Sequence, residues 1–245
     1  MTSIEAEVPG TFLLVLLGGG VCANTSLNHS FAKDAGWVVV TWGWGLAVFA
    51  GVTVAAPYSG AHLNPAVSIG LAVAGKFPAS ELLPYIASQM VGAMLGATAL
   101  WIYFYEHYKQ TPDSAVKLGT FCTSPAIANT ASNFFSEMTG TFILVLAVLS
   151  FQDPIIHTNN MGDVPVGPGS LGALPVALLV VGIGMCLGGT TGYAINPARD
   201  LGPRIMHSIL PIPGKGSSNW SYAWIPVAGP ITGACIAAAL ARTFG

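Results

Sequence analysis

The chain has 245 residues, of which eight are Lys or Arg and ten are Asp or Glu, so only 7% carry charge, where a soluble domain carries roughly 25%. With 53% hydrophobic residues and 30 glycines, and a mean hydropathy of +0.65, it lacks the charge to cover a water-facing surface. A soluble enzyme, a nucleic-acid binder and a disordered chain are excluded, which leaves a polytopic membrane protein.

In chain order, the first apolar stretch covers 6–27. It follows Glu5 and carries Glu7 with no basic leader, so it reads as a retained span and not a cleaved signal. The second covers 37–57. A short apolar segment, 64–75, then opens on Asn64-Pro65-Ala66. The third long stretch is 82–105, followed by a polar connection over 106–130 and the fourth stretch at 134–151. After a connection over 152–170 come the fifth stretch, 171–191, and a second short segment, 196–207, opening on Asn196-Pro197-Ala198. The sixth stretch is 221–241. A crossing needs about 20 apolar residues, so the six long stretches can span a bilayer and the two short ones cannot. Cys22, Cys122, Cys186 and Cys235 are scattered without a paired motif and read as small apolar fillers.

The pattern repeats. Glu7-Val8-Pro9-Gly10-Thr11-Phe12 in the first span matches Glu137-Met138-Thr139-Gly140-Thr141-Phe142 in the fourth, 130 residues on, and Asn64 and Asn196 are 132 apart. The expectation is one domain over 1–245, made of two repeats at about 1–110 and 131–245, each with three spans and a half-span. An odd number of spans per repeat inverts the second copy in the membrane. Loop cations do not give the orientation. With both termini inside, Lys76 and Arg242 lie inside, while Lys33, Lys109, Lys117 and Lys215 lie outside, the reverse of the usual bias.

Asn-Pro-Ala starts a helix for physical reasons. The Asn side-chain oxygen accepts an orphan backbone N–H, proline at the first helical position gives up no bond, and the Asn amide NH2 is left to point elsewhere. Two half-helices of about 11 residues, placed N-terminus to N-terminus, span roughly 33 Å, close to the ~30 Å hydrocarbon core. Their positive dipole ends would meet at the midplane. Non-helical backbone at that depth is tolerated where it is buried in protein or lines a cavity, so the loops before the half-helices are expected to line a path.

Gly60-Ala61-His62-Leu63-Asn64-Pro65-Ala66-Val67 and Gly192-Tyr193-Ala194-Ile195-Asn196-Pro197-Ala198-Arg199-Asp200 resemble the two signature boxes of the major intrinsic proteins, the aquaporins and glycerol facilitators. The resemblance extends from Glu7 to Gly229-Pro230-Ile231-Thr232-Gly233 in the last span. It implies an all-α membrane fold of six spans plus two re-entrant half-helices, termini on the cytoplasmic side of a plasma or inner membrane, and a homotetramer with one pore per subunit. By position it also implies a selectivity filter of Trp44, Gly184, Tyr193 and Arg199, with glycine at 184 leaving a wider opening than the histidine of water-selective members. Asp200 and Pro226 resemble the glycerol-conducting subgroup.

The residues then take expected roles. Arg199, costly inside a membrane, and the two helix ends would keep cations and protons out. Asn64 and Asn196 would donate to a passing oxygen. The carbonyls of Gly60, Ala61, His62, Leu63, Gly192, Tyr193, Ala194 and Ile195 would accept from it. Glu7 and Glu137 are expected to hold backbone N–H groups of the two loops, and His62 and Asp200 to brace loops. Gly92-x-x-x-Gly96 and Gly229-x-x-x-Gly233 would let helices approach closely. No nucleophile–base set or metal-ligand spacing stands out, so neither an enzyme nor a cofactor or metal is expected. The expected permeants are glycerol, other small neutral solutes and water; the alternatives are a water-selective, urea or metalloid pore, or a proton-coupled transporter.

Overall fold

The computed structural model describes residues 1–152, 155–158, 162–165, 167 and 169–244. Part of the connection expected over 152–170 therefore lies outside the described residues.

Helix α1 (Ser3–Ser26) begins at a reciprocal cap in which Thr2 and Glu5 bond each other's backbone. Helix α2 (Trp37–Ser59) ends at Gly60, whose φ of 75° is the left-handed stop that glycine adopts without strain. Short helix α3 (Pro65–Val73) follows, then α4 (Leu82–Tyr103). Two short helices, α5 (Tyr105–Gln110) and α6 (Ser114–Gly119), occupy the long connection. Helix α7 (Thr130–Ser150) is capped by Asn129. A small antiparallel hairpin, β1 (Ile155–Thr158) with β2 (Gly162–Pro165), pairs Ile155 with Pro165 and Thr158 with Gly162. Helix α8 (Leu174–Leu187), short α9 (Pro197–Ile209) and α10 (Ile225–Phe244) complete the chain. The hairpin is the one departure from an all-helical chain among the described residues, and it lies in a connection.

Six of these segments are long and apolar enough to cross a membrane. Their outer faces carry large exposed apolar side chains such as Leu46, Leu83, Leu95, Ile102 and Leu178. Such a surface aggregates in water, whereas lipid covers it without cost. The chain is an integral membrane protein.

Helix α1 packs on α2 and α4, α7 packs on α10, and α8 joins the two groups through α2. The short helices cross over: α3 packs on α10 and α9 on α4. Small residues allow these approaches. A Cβ on Gly92 would lie 2.4 Å from the Val8 carbonyl oxygen, and one on Gly233 would lie 2.1 Å from that of Met138, so α4 and α10 touch α1 and α7 backbone to backbone.

The candidate pore and its constriction

The two half-helices start alike. Asn64 accepts the Ala66 N–H at 2.9 Å, and Asn196 accepts those of Ala198 at 3.0 Å and Arg199 at 3.2 Å, with Pro65 and Pro197 at the first helical position. The lengths differ: 9 residues in α3 and 13 in α9, about 13 and 20 Å of rise.

The Asn amides also clasp the opposite loop. Asn64 Nδ2 donates to the Ile195 carbonyl and Asn196 Nδ2 to that of Leu63, both at 2.8 Å. An amide NH2 has two hydrogens, so each Asn keeps one N–H outside the clasp. The amides left to point elsewhere thus reach the facing loop, and the Leu63 and Ile195 carbonyls each spend one lone pair on the clasp and keep the other. Gly192 is absent from the residues lining the cavity described below.

The loops share one backbone pattern. Gly60, Ala61 and Leu63 have φ of 75°, 53° and 51°, and Gly192, Tyr193 and Ile195 have 77°, 38° and 43°. Four of these are not glycine, and each such left-handed residue costs about 1–3 kcal/mol. Buried carboxylates hold the strained turns. Glu7 accepts the N–H groups of His62 at 3.0 Å and Leu63 at 2.7 Å, and Glu137 those of Ala194 at 2.9 Å and Ile195 at 2.8 Å. Glu7 also accepts from Ser59 Oγ at 2.6 Å and Gln89 Nε2 at 2.7 Å. Successive amides turned onto one anion satisfy a charge that burial alone would make prohibitive. His62 bonds Ser68 Oγ at 3.0 Å and packs against Phe77 and Tyr85.

A cavity of about 680 Å³ runs along these loops. Residues 60–63 and 194–195 of the two loops line it together with the apolar Val52, Val67, Leu71, Leu144, Val148 and Val176. One end reaches Phe151 and Ser170. The other is bounded by Trp44, Tyr193 and Arg199, only 6%, 6% and 7% exposed. The Arg199 guanidinium carbon sits 3.9 Å above the Trp44 ring centre, a cation–π contact. Among the described residues it has no acidic partner.

Gly184 stands beside this cluster but does not line the cavity. A Cβ there would lie 2.7 Å from Tyr193 Cζ and 2.9 Å from its hydroxyl. The space expected as a wider opening is thus filled by the Tyr193 ring, and the glycine acts by giving that ring a seat. Trp37 completes the seat. Its indole N–H donates to the Gly184 carbonyl at 2.9 Å and its ring meets Tyr193 edge-on at 5.7 Å. Nothing local in the sequence signals this role for Trp37, whose partner lies 147 positions away.

Arg204 was also left without a role. Its Nε and Nη2 bond Asp200 Oδ1 at 2.9 and 2.7 Å, while Asp200 Oδ2 accepts the Thr123 N–H and hydroxyl at 2.8 and 2.7 Å. Arg204 further donates to the carbonyls of Thr123, Ser218 and Asn219. This fully buried pair ties two connections to α9. The spacing of four on a helix was the available signal.

A cavity flanked by two capped helix ends that point at each other, in a bundle of membrane-crossing helices, defines a membrane channel architecture. Comparison with known proteins gives the family. Residues 1–241 match the family described as Major intrinsic protein. The chain is 52% identical over 233 residues to the glycerol uptake facilitator protein of Bacillus subtilis, covering 95% of this chain and 81% of that one. It is 49% identical over 234 residues to glycerol uptake facilitator protein 3 of Lactiplantibacillus plantarum, covering 96% and 93%. The X-ray structure of the aquaglyceroporin from Plasmodium falciparum superposes with a TM-score of 0.81 at 32% identity, covering 98% of this chain and 94% of that one. The chain belongs to the major intrinsic protein family.

Proposed function

We propose that this protein is a passive channel for glycerol and other small neutral solutes, with water as a second permeant, and that it works without catalysis. The observation that carries the reading is the cluster lining the cavity: a guanidinium without an acidic partner among the described residues, set over the Trp44 ring, with Tyr193 lining the same cavity. A polyol turns C–H groups to one side and hydroxyls to the other. Trp44 and Tyr193 suit the first, and Arg199 with the free loop carbonyls suits the second. The relatives named as glycerol uptake facilitators support the same permeant.

On this reading Asn64 and Asn196 each give their remaining N–H to a permeant oxygen and break a proton wire, while Arg199 and the helix ends repel cations. The chain is one domain of two inverted repeats, at about 1–110 and 131–245. It sits in the cytoplasmic membrane with both termini inside, and it assembles as a homotetramer, which the mass of the purified complex would check.

Labelled glycerol uptake into proteoliposomes tests the passive mechanism. Internal glycerol should rise to the external concentration and stop there, with or without an imposed proton gradient. Accumulation above that level driven by the gradient would make the protein a coupled transporter.

A further inference from the structure

Trp44 is held from behind by a cradle on α1. Gly18 and Cys22 lie one turn apart on that helix, hence on one face. A Cβ on Gly18 would fall 2.2 Å from Trp44 Cζ3, so the ring occupies the space that the missing side chain leaves. The indole N–H, the one polar group of the ring, donates to Cys22 Sγ at 3.4 Å. The Arg199 guanidinium lies over the indole, 3.9 Å from its ring centre.

We propose that Cys22 is a positioning residue of the solute constriction, its sulfur taking the indole N–H of Trp44 out of the path so that the ring offers the permeant only apolar surface. The inference rests on the constriction proposed above. Tryptophan can only donate. With its N–H tied to sulfur, Trp44 cannot hold a water or a hydroxyl, and the division of the constriction into a carbon-facing aromatic side and a hydroxyl-facing Arg199 side is kept. Without an acceptor at position 22, a nearly buried N–H would be orphaned. The ring would then recover a partner by turning toward water or solute, which also shifts the surface on which Arg199 rests.

The test compares C22S, C22A and C22V in proteoliposomes, reading the ratio of glycerol to water permeability, which does not depend on how much protein inserts. Serine keeps an acceptor, alanine removes it, and valine removes it while keeping bulk. The expected result is a ratio lowered roughly two- to fivefold in C22A and C22V and close to wild type in C22S. In a W44F background, which has no N–H, C22A should change nothing further. Loss of bulk alone would instead lower C22S and C22A together, or spare C22V, and either pattern overturns the proposal. So does a wild-type ratio in C22A. If the unsubstituted protein passed no glycerol, the proposed function would fall. The inference would then be judged on water permeability alone, where C22A must differ from wild type and C22S must not.

Discussion

Adding one methyl group at Gly184 tests how the constriction is built. In G184A the new Cβ meets Tyr193 Cζ at 2.7 Å and the Tyr193 hydroxyl and Thr41 Cγ2 at 2.9 Å. Thr41 is fully buried in α2 and cannot retreat. Reaching ordinary contact at 3.4 Å from 2.7 Å needs a ring shift of about 0.7 Å. Trp37 stands edge-on to the ring, and Gly188 already runs so close that a Cβ there would lie 2.5 Å from Tyr193 Cδ1. The direction left is into the cavity that Tyr193 lines. Overpacking of this kind costs about 1–3 kcal/mol. If about 1.4 kcal/mol of that appears in the barrier for a solute filling the constriction, glycerol slows roughly tenfold. Water, being smaller, should slow less than about threefold, by the same conversion. Stopped-flow light scattering on proteoliposomes, with glycerol and sucrose gradients in parallel, measures both. A G184A ratio equal to wild type, or faster glycerol, would refute the argument that Tyr193 and not empty space lies beside Gly184.

Three further outcomes follow from the same geometry. Replacing Arg199 by valine removes a charge that, at roughly 8 Å and an effective dielectric of 20, raises a cation's energy by about 2 kcal/mol; a pH-sensitive dye inside vesicles should report proton leak up about thirtyfold, and an unchanged leak would remove Arg199 from ion exclusion. Replacing Arg204 by methionine leaves Asp200 charged and unpaired in a fully buried site, so thermal unfolding in detergent should show a loss of about 3–5 kcal/mol, while the D200L/R204M double variant should recover much of it. G233A places a Cβ 2.1 Å from a carbonyl oxygen and should abolish folded protein, whereas G20A, with nothing within 4 Å of its Cβ, should behave as wild type in gel filtration.

What the sequence showed and what it hid divide along one line. The half-helices were legible because their cause is local: Asn-Pro-Ala contains both the cap and the first helical residue. The span limits were legible to within a few residues because apolar length sets them. Glu7 and Glu137 were legible because a repeat displays the same residue twice. The supports of the constriction were hidden because their partners lie far apart in the chain: Trp37 with Gly184, and Trp44 with Cys22, a cysteine that sequence pattern classed as filler. The loop lysines, which gave no orientation in the sequence, are tied up locally. Lys33 donates to the Ser26 carbonyl at the end of α1, Lys215 donates to Ser208 and Leu210 at the end of α9, and Lys117 donates to Pro213 and Gly214. Lys109 pairs with Glu106 at 2.9 Å. These cations bond carbonyls and a carboxylate within their own connections, so each has a local role apart from orientation.

The central claim is that a polyol, and not water alone, passes the Trp44–Tyr193–Arg199 constriction. Its most direct test is the swelling rate of proteoliposomes holding the unsubstituted protein, measured for glycerol, urea and water side by side against empty vesicles. The account predicts glycerol permeability raised well above the empty-vesicle rate, with water raised as well. A rise for water with glycerol left at the empty-vesicle rate would contradict it.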